Sequence, residues 1–129
     1  MTLATLREDG YPQANTVTYA NDGLTIYFST DAKSQKVKNL QSCNKVSLTL
    51  DREYEDWNKI KGFSMAATAE VLTNPDAIQK AMGCLMEKFP ALKNMPEPEE
   101  PMALVKIIPK IISVFNYELG FGHTELIEL

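Results

Sequence analysis

Histidine and tryptophan each occur once in this chain of 129 residues, and cysteine twice. With His123 as the only imidazole, a metal centre lacks ligands, and the spacing of Cys43 and Cys84 fits no zinc site. The N-terminus, Met-Thr-Leu-Ala-Thr-Leu-Arg, has no basic region followed by an apolar stretch, so it does not read as a secretory leader. Two cysteines in such a chain point to free, mostly buried thiols and a cytoplasmic protein rather than to a disulfide. No apolar run approaches the length that spans a bilayer. An excess of positive charge is also missing. The formal net charge is −4, which argues against a nucleic-acid partner, because phosphate neutralisation needs a basic face. There is no internal repeat, no linker suited to a domain boundary, no carboxylate pair and no catalytic triad.

What is present is ordinary globular composition, 44% hydrophobic and 23% charged, in a length that suits one domain over residues 1–129. Period-two segments dominate. Thr2 to Arg7 is β-rich and ends in the turn signal Glu8-Asp9-Gly10. Pro12 opens a second strand, Gln13 to Ala20, with Asn15, Val17 and Tyr19 on one face. Asn21-Asp22-Gly23 tolerates the positive φ of a tight hairpin. Lys45 to Asp51 alternates again, with Val46, Leu48 and Leu50 inward. The charged connection Arg52 to Lys59 carries Trp57. Gly62 to Leu72 is a strand of small residues, which suits either a flat ligand or a tight barrel corner.

Asn74-Pro75-Asp76 is a helix start. The stripe Ile78, Ala81, Met82, Leu85, Met86 and Phe89 that follows is a core face, and Cys84 lies in it as an inert thiol. Pro90 ends the helix, and Pro96 to Pro101 is an acidic connector. Met102 to Glu118 returns to strand, with Pro109 marking an edge, a bulge or a switch between two strands. The segment from Tyr117 to Leu126 reads as irregular. Six or so antiparallel strands with one short and one longer helix favour a closed or nearly closed barrel.

Leu24 to Leu40 is the stretch that carries chemistry. Leu24, Ile26 and Phe28 alternate with Thr25, Tyr27 and Ser29 as a half-buried strand. Val37 and Leu40 then give a short helix one apolar edge. Thr30, Lys33, Ser34 and Lys36 lie at the junction. Hydroxyls, ammonium groups and the free N–H groups of a helix start suit a phosphate. The plainer reading is a Ser34 helix cap beside solvated lysines.

The order Gly10-x-Pro12, Val17-Thr18-Tyr19, Ile26-Tyr-Phe-Ser-Thr30, Ser34-x-Lys36-Val37-x-Asn39-Leu40 and Asn44-x-Val46-Ser47-Leu48 resembles the pyridoxamine 5'-phosphate oxidase-like family of FMN-binding split β-barrels. Ala69-Glu70-Val71 and Ile107-x-Pro109-Lys110 extend the likeness toward the end of the chain. Members usually begin with a helix, whereas this chain opens on a strand.

The resemblance implies a mainly β, six-stranded antiparallel split barrel, and a homodimer with FMN in a groove between subunits. It assigns Thr30, Ser34 and Lys36 to the ribityl phosphate, with Ser29 and Lys33 as further cofactor-binding candidates, Lys33 as a replacement for missing phosphate charges. Asn15, Thr16, Val17 and Thr18 fall beside the isoalloxazine ring, and Trp57, Gly62 and Phe63 at its far rim. Tyr117, Phe121 and His123 are further candidates for flavin or substrate contacts, with packing as the alternative for His123. Tyr11, Tyr19 and Tyr54 read as packing or rim residues. The vitamin-making oxidases carry an arginine where Gln35 stands, and an arginine and a lysine at about Ala14 and Tyr19. Their carboxy-terminal arginine-histidine signature is absent too, so pyridoxamine phosphate is not the expected substrate. The tail Gly120-Phe121-Gly122-His123 resembles a subgroup of small members.

Two functional classes follow. One is an FMN-dependent oxidoreductase acting on a small molecule, with neither membrane nor nucleic acid as partner. The other is a non-catalytic binder or sensor of FMN or a related cofactor such as haem or deazaflavin. A barrel dimer without a ligand is the third, purely structural, reading.

Overall fold

The structure, a computed structural model, describes residues 1–129. β1 (Thr2–Leu6) and β2 (Pro12–Thr16) form the first antiparallel hairpin. β3 (Ala20–Asp22) and β4 (Thr25–Asp31) form the second. Gly23 turns that hairpin with φ of 58°, a conformation a side chain would strain, and Asn21 Nδ2 donates to its carbonyl. The order continues with α1 (Gln35–Ser42), β5 (Lys45–Leu50), β6 (Lys61–Val71), α2 (Pro75–Lys88), β7 (Met102–Asn116) and β8 (Thr124–Glu128). Short 3-10 turns lie at Trp57–Lys59, Pro90–Asn94 and Tyr117–Leu119. No helix is long and apolar enough to cross a membrane.

The strands follow one another in the sheet as β2-β1-β5-β6-β7-β4-β3, with β8 added beside β7. β2 and β3 are therefore the two ends of the path, yet only Val17, Thr18 and Tyr19 separate them in the chain. Four peptide steps reach at most about 14 Å. The sheet must curl until its ends nearly meet, and no ladder joins them: the barrel is split. The mainly β antiparallel class matches expectation, with eight strands rather than six.

Two apolar clusters hold this shape. The larger fills the barrel and includes the fully buried Leu3, Phe28, Val105 and Ile107, with Leu48 at 1% exposure. The smaller lies where α2 covers the outside of the wall: Ala81 and Leu85 pack with Ala20, Tyr27, Leu72 and Leu104. Each buried Leu, Ile, Val or Phe among them contributes roughly 1.5–3 kcal/mol. Asn74 Oδ1 accepts from the N–H groups of Asp76 and Ala77, capping α2 where the Asn-Pro-Asp signal predicts its start.

Several local expectations change. β4 is buried on both faces at its middle (Ile26, Tyr27, Phe28), because α2 covers Tyr27. Leu24 falls in the hairpin turn and is exposed. The second strand ends at Thr16 rather than Ala20; Val17 still exchanges two backbone hydrogen bonds with Met1, one position beyond the Thr2–Thr16 pair, and the chain then crosses the split. The tail is not wholly irregular: Thr124–Glu128 pairs with Ile111 to Phe115. Pro109 stands at a bulge, between the residues of β7 that pair with β4 and those that pair with β8. Its missing N–H falls where neither neighbour needs it.

Candidate functional site

The start of α1 is built by short-range hydrogen bonds. Asp31 closes β4, accepting from the Ser34 N–H through its carbonyl and from the Lys33 N–H through Oδ1 at 2.8 Å. Ser34 leaves the helical conformation, with ψ of 156°, and its Oγ accepts from the Val37 N–H at 3.4 Å. The amides of Gln35 and Lys36, in the same first turn, have no acceptor in the chain. The half-buried Lys36 makes neither an ion pair nor a hydrogen bond, whereas Lys33 is held by Glu100 at 3.3 Å. Glu100 belongs to the acidic connector, which is anchored where the Ala32 N–H donates to the Pro101 carbonyl at 3.0 Å. Thr30 is half-buried and Ser29 exposed on β4, opposite Ala103 and Leu104 of β7. Free amides, hydroxyls and one unpaired ammonium form a corner able to hold an anion.

The neighbouring strand adds a second feature. Asn15 lies on the face of β2 that looks toward Leu3 and Thr5, and its Oδ1 is buried without a hydrogen-bond partner. A buried acceptor left empty costs about 1–3 kcal/mol, so it is suited to a donor brought from outside the chain. Thr16 and Thr18 are exposed beside it. Val17 turns inward to the barrel core, 7% exposed, with its N–H and carbonyl both engaged by Met1.

The remaining candidates gather elsewhere. Trp57 and Phe121 stack with ring centroids 6.5 Å apart and planes 17° from parallel, and Tyr117 lies 5.2 Å from Phe121. Gly62 sits beneath Phe115 so closely that a Cβ there would come within 2.6 Å of its ring. Phe63, opposite Val114 of β7, is partly exposed. His123 Nε2 meets Glu125 Oε1 at 3.1 Å. These residues border the Phe115 end of β7, while Thr30 borders the Ala103 end. At roughly 3.3 Å per residue the two groups are about 40 Å apart along the strand. One protomer therefore does not bring the aromatic group to the anion corner.

Beside the aromatic end the barrel opens into a cavity of about 310 Å³, walled by Leu50, Phe63, Met65, Ile112, Val114 and Ile127 among others. The sequence pattern assigns no role to the residues that fix α1. Asn39 is fully buried and bonded to Thr5, Gln13 and Gln35. In the sequence it stands in the pattern Ser34-x-Lys36-Val37-x-Asn39-Leu40 with no role assigned, and its four-residue spacing from Gln35 puts both amides on one helix face.

Comparison with known proteins places this geometry. Residues 1–114 match the family described as pyridoxamine 5'-phosphate oxidase. No curated protein matches the chain. A haem-binding protein from Mycobacterium smegmatis is similar with a TM-score of 0.80 and 19% identity, over 98% of this chain and 51% of its own. This chain thus spans about half the length of that protein. The conserved hypothetical protein Rv2991 from Mycobacterium tuberculosis gives a TM-score of 0.78 and 26% identity, over 96% of this chain and 81% of its own. The haem-storage protein HutZ from Vibrio cholerae gives 0.72 and 14%, over 84% and 80%.

Proposed function

The chain belongs to the pyridoxamine 5'-phosphate oxidase family, and on that premise we propose that it is an FMN-binding oxidoreductase acting on a small molecule. The observation that carries the reading is the corner at the start of α1, where the Gln35 and Lys36 amides and the Lys36 ammonium lack partners. A phosphate monoester there meets N–H groups at the positive end of a helix, the hydroxyls of Thr30 and Ser34, and one cation. Asn15 Oδ1 supplies an acceptor for the ring N–H of an isoalloxazine. These residues fit the cofactor.

Bound FMN supplies hydride and electron transfer through its ring; the chain supplies binding, orientation and the surrounding field. Lys36 offsets part of the phosphate charge, and Thr16 and Thr18 border the ring. Lys33 contributes only as far as Glu100 releases it. With Gln35, Ala14 and Tyr19 uncharged, a phosphate dianion faces few cations, and affinity is set mainly by amides and hydroxyls. The reading includes a homodimer. Trp57, Tyr117, Phe121 and His123 of one copy then cover the ring side of the cofactor held at the other copy's α1, which joins the two ends that a single chain keeps apart.

The purified protein is expected to be yellow with a flavin absorption spectrum, to bleach with NADH or NADPH, and to recover colour in air. Lys36→Ala is expected to weaken FMN binding about tenfold or more, as loss of a charged hydrogen-bond partner does, while the melting temperature stays near that of the parent. Unchanged FMN affinity in that variant removes the corner from the site.

A haem-binding function is the second reading, favoured by the free reach of His123. Its side chain is 37% exposed and engages only Glu125. A porphyrin absorption band lost in His123→Ala, with no flavin spectrum, replaces the first reading by the second.

A further inference from the structure

We infer that Asn39 is a positioning residue for the cofactor corner: through Gln35 on one side and Gln13 on the other, it fixes the start of α1 against β2. The inference rests on the FMN reading above.

Asn39 is 0% exposed, on a short helix whose other buried residues are Val37 and Leu40. A buried amide destabilises unless its hydrogen bonds are made. Here they are. Gln35 Nε2 donates to Asn39 Oδ1 at 2.8 Å, and Asn39 Nδ2 donates to Thr5 Oγ1 at 2.9 Å and to Gln13 Oε1 at 3.0 Å. A leucine at this position would extend the apolar edge of α1 without a desolvation penalty. Apolar burial is non-directional, however, and leaves an eight-residue helix free to slide or roll on its bed. Hydrogen bonds with fixed lengths and angles remove that freedom.

The ends of the network give the lock its meaning. Gln35 is the first residue of α1, and its own N–H is one of the two free amides of the corner. Gln13 lies two residues from Asn15, on the same face of β2. One buried side chain thus ties the phosphate end of the proposed site to its ring end. Gln35 spends its amide on Asn39 rather than on an anion, so its side chain acts on phosphate only by holding the helix. Small displacements of such groups cost binding out of proportion to their size.

Two variants test this, Asn39→Leu and the half-buried Gln13→Leu, each titrated with FMN by flavin fluorescence and followed by visible circular dichroism of the bound flavin. The amide chemical shifts of Gln35 and Lys36 are recorded without cofactor. Asn39→Leu is expected to weaken FMN binding about tenfold or more, Gln13→Leu by a smaller factor, each with an altered flavin dichroism and moved Gln35 and Lys36 resonances. Variants that melt earlier but keep the parent affinity and dichroism overturn the inference and leave Asn39 a packing residue. If Asn39→Leu does not fold, Gln13→Leu carries the same readouts. If the parent protein itself takes up no FMN, the cofactor reading fails instead. The cofactor-free shifts then decide the mechanical link: movement at Gln35 and Lys36 in Gln13→Leu supports it, and no movement refutes it.

Discussion

The two ends of β7 are opposites in chemistry and in packing. Its first half is sandwiched: Ala103, Val105 and Ile107 face the barrel core while Leu104 packs under α2. Beside it lie the hydroxyls, free amides and cations at the start of α1. Its second half is covered by β8, every residue of which is exposed, and it borders aromatic rings and an apolar cavity. A phosphate needs rigid, directed donors, and these sit against the well-packed half. A flat ring or an apolar substrate needs surface rather than direction, and that surface lies on the thinly covered half. In the proposed homodimer, this difference would let one protomer hold the phosphate while the aromatic group comes from the other.

The packing contrast makes the largest prediction. Phe28→Ala, at a position with 0% exposure in β4, is expected to destabilise by about 3–5 kcal/mol in chemical denaturation. Leu126→Ala, 62% exposed in β8, is expected to stay within about 0.5 kcal/mol. Comparable losses at both positions would mean that β8 is covered as thoroughly as the first half. Next comes Gly62→Ala, which sets a methyl 2.6 Å from the Leu50 carbonyl and from the Phe115 ring. A loss of about 1–3 kcal/mol with a changed Trp57 fluorescence is expected, since Phe115 leans on Tyr117 and through it on Phe121. Neutral behaviour would show that the aromatic end adjusts freely.

Asn74→Ala removes the cap of the helix that shields the first half, at a cost of about 1 kcal/mol readable as a lower melting temperature. The smallest effect belongs to the β1–β2 turn, away from both ends. There the side-chain hydrogen bond from Arg7, aided by the Tyr11 N–H, holds the exposed Asp9 carboxyl below its usual range. A lowered folded-state pKa contributes stability above the unfolded value and loses it as pH falls through the folded one. Asp9→Asn should therefore melt slightly lower than the parent near neutral pH, and the gap should close as the pH falls below the usual aspartate range.

Much of this was legible from local pattern. The hairpin at Gly23, the Asn74 cap and the Ser34 start of α1 each follow from neighbouring residues, because turn and cap chemistry act over two to four positions. The anion corner was legible for the same reason: its parts are contiguous from Ser29 to Lys36. Three features were not. Tyr27 sits in a period-two strand as if solvated, and only the packing of α2 buries it. Asn39 stands in the α1 motif without any sign that it is buried, and only Thr5 and Gln13, far away in the chain, make its burial tolerable. Trp57 and Phe121 meet across a sequence gap that no periodicity spans.

Short-range order, then, was written in the chain: which segments are strand or helix, where they start, and which few residues gather hydroxyls and ammonium groups at the start of α1. The tertiary structure alone decided that β2 and β3 close on each other, that the aromatic and polar groups lie at opposite ends of one strand, and that a buried asparagine holds α1 in place. Periodicity and caps depend on contacts within a turn or two. Curl, separation and burial depend on partners that only the folded sheet brings together.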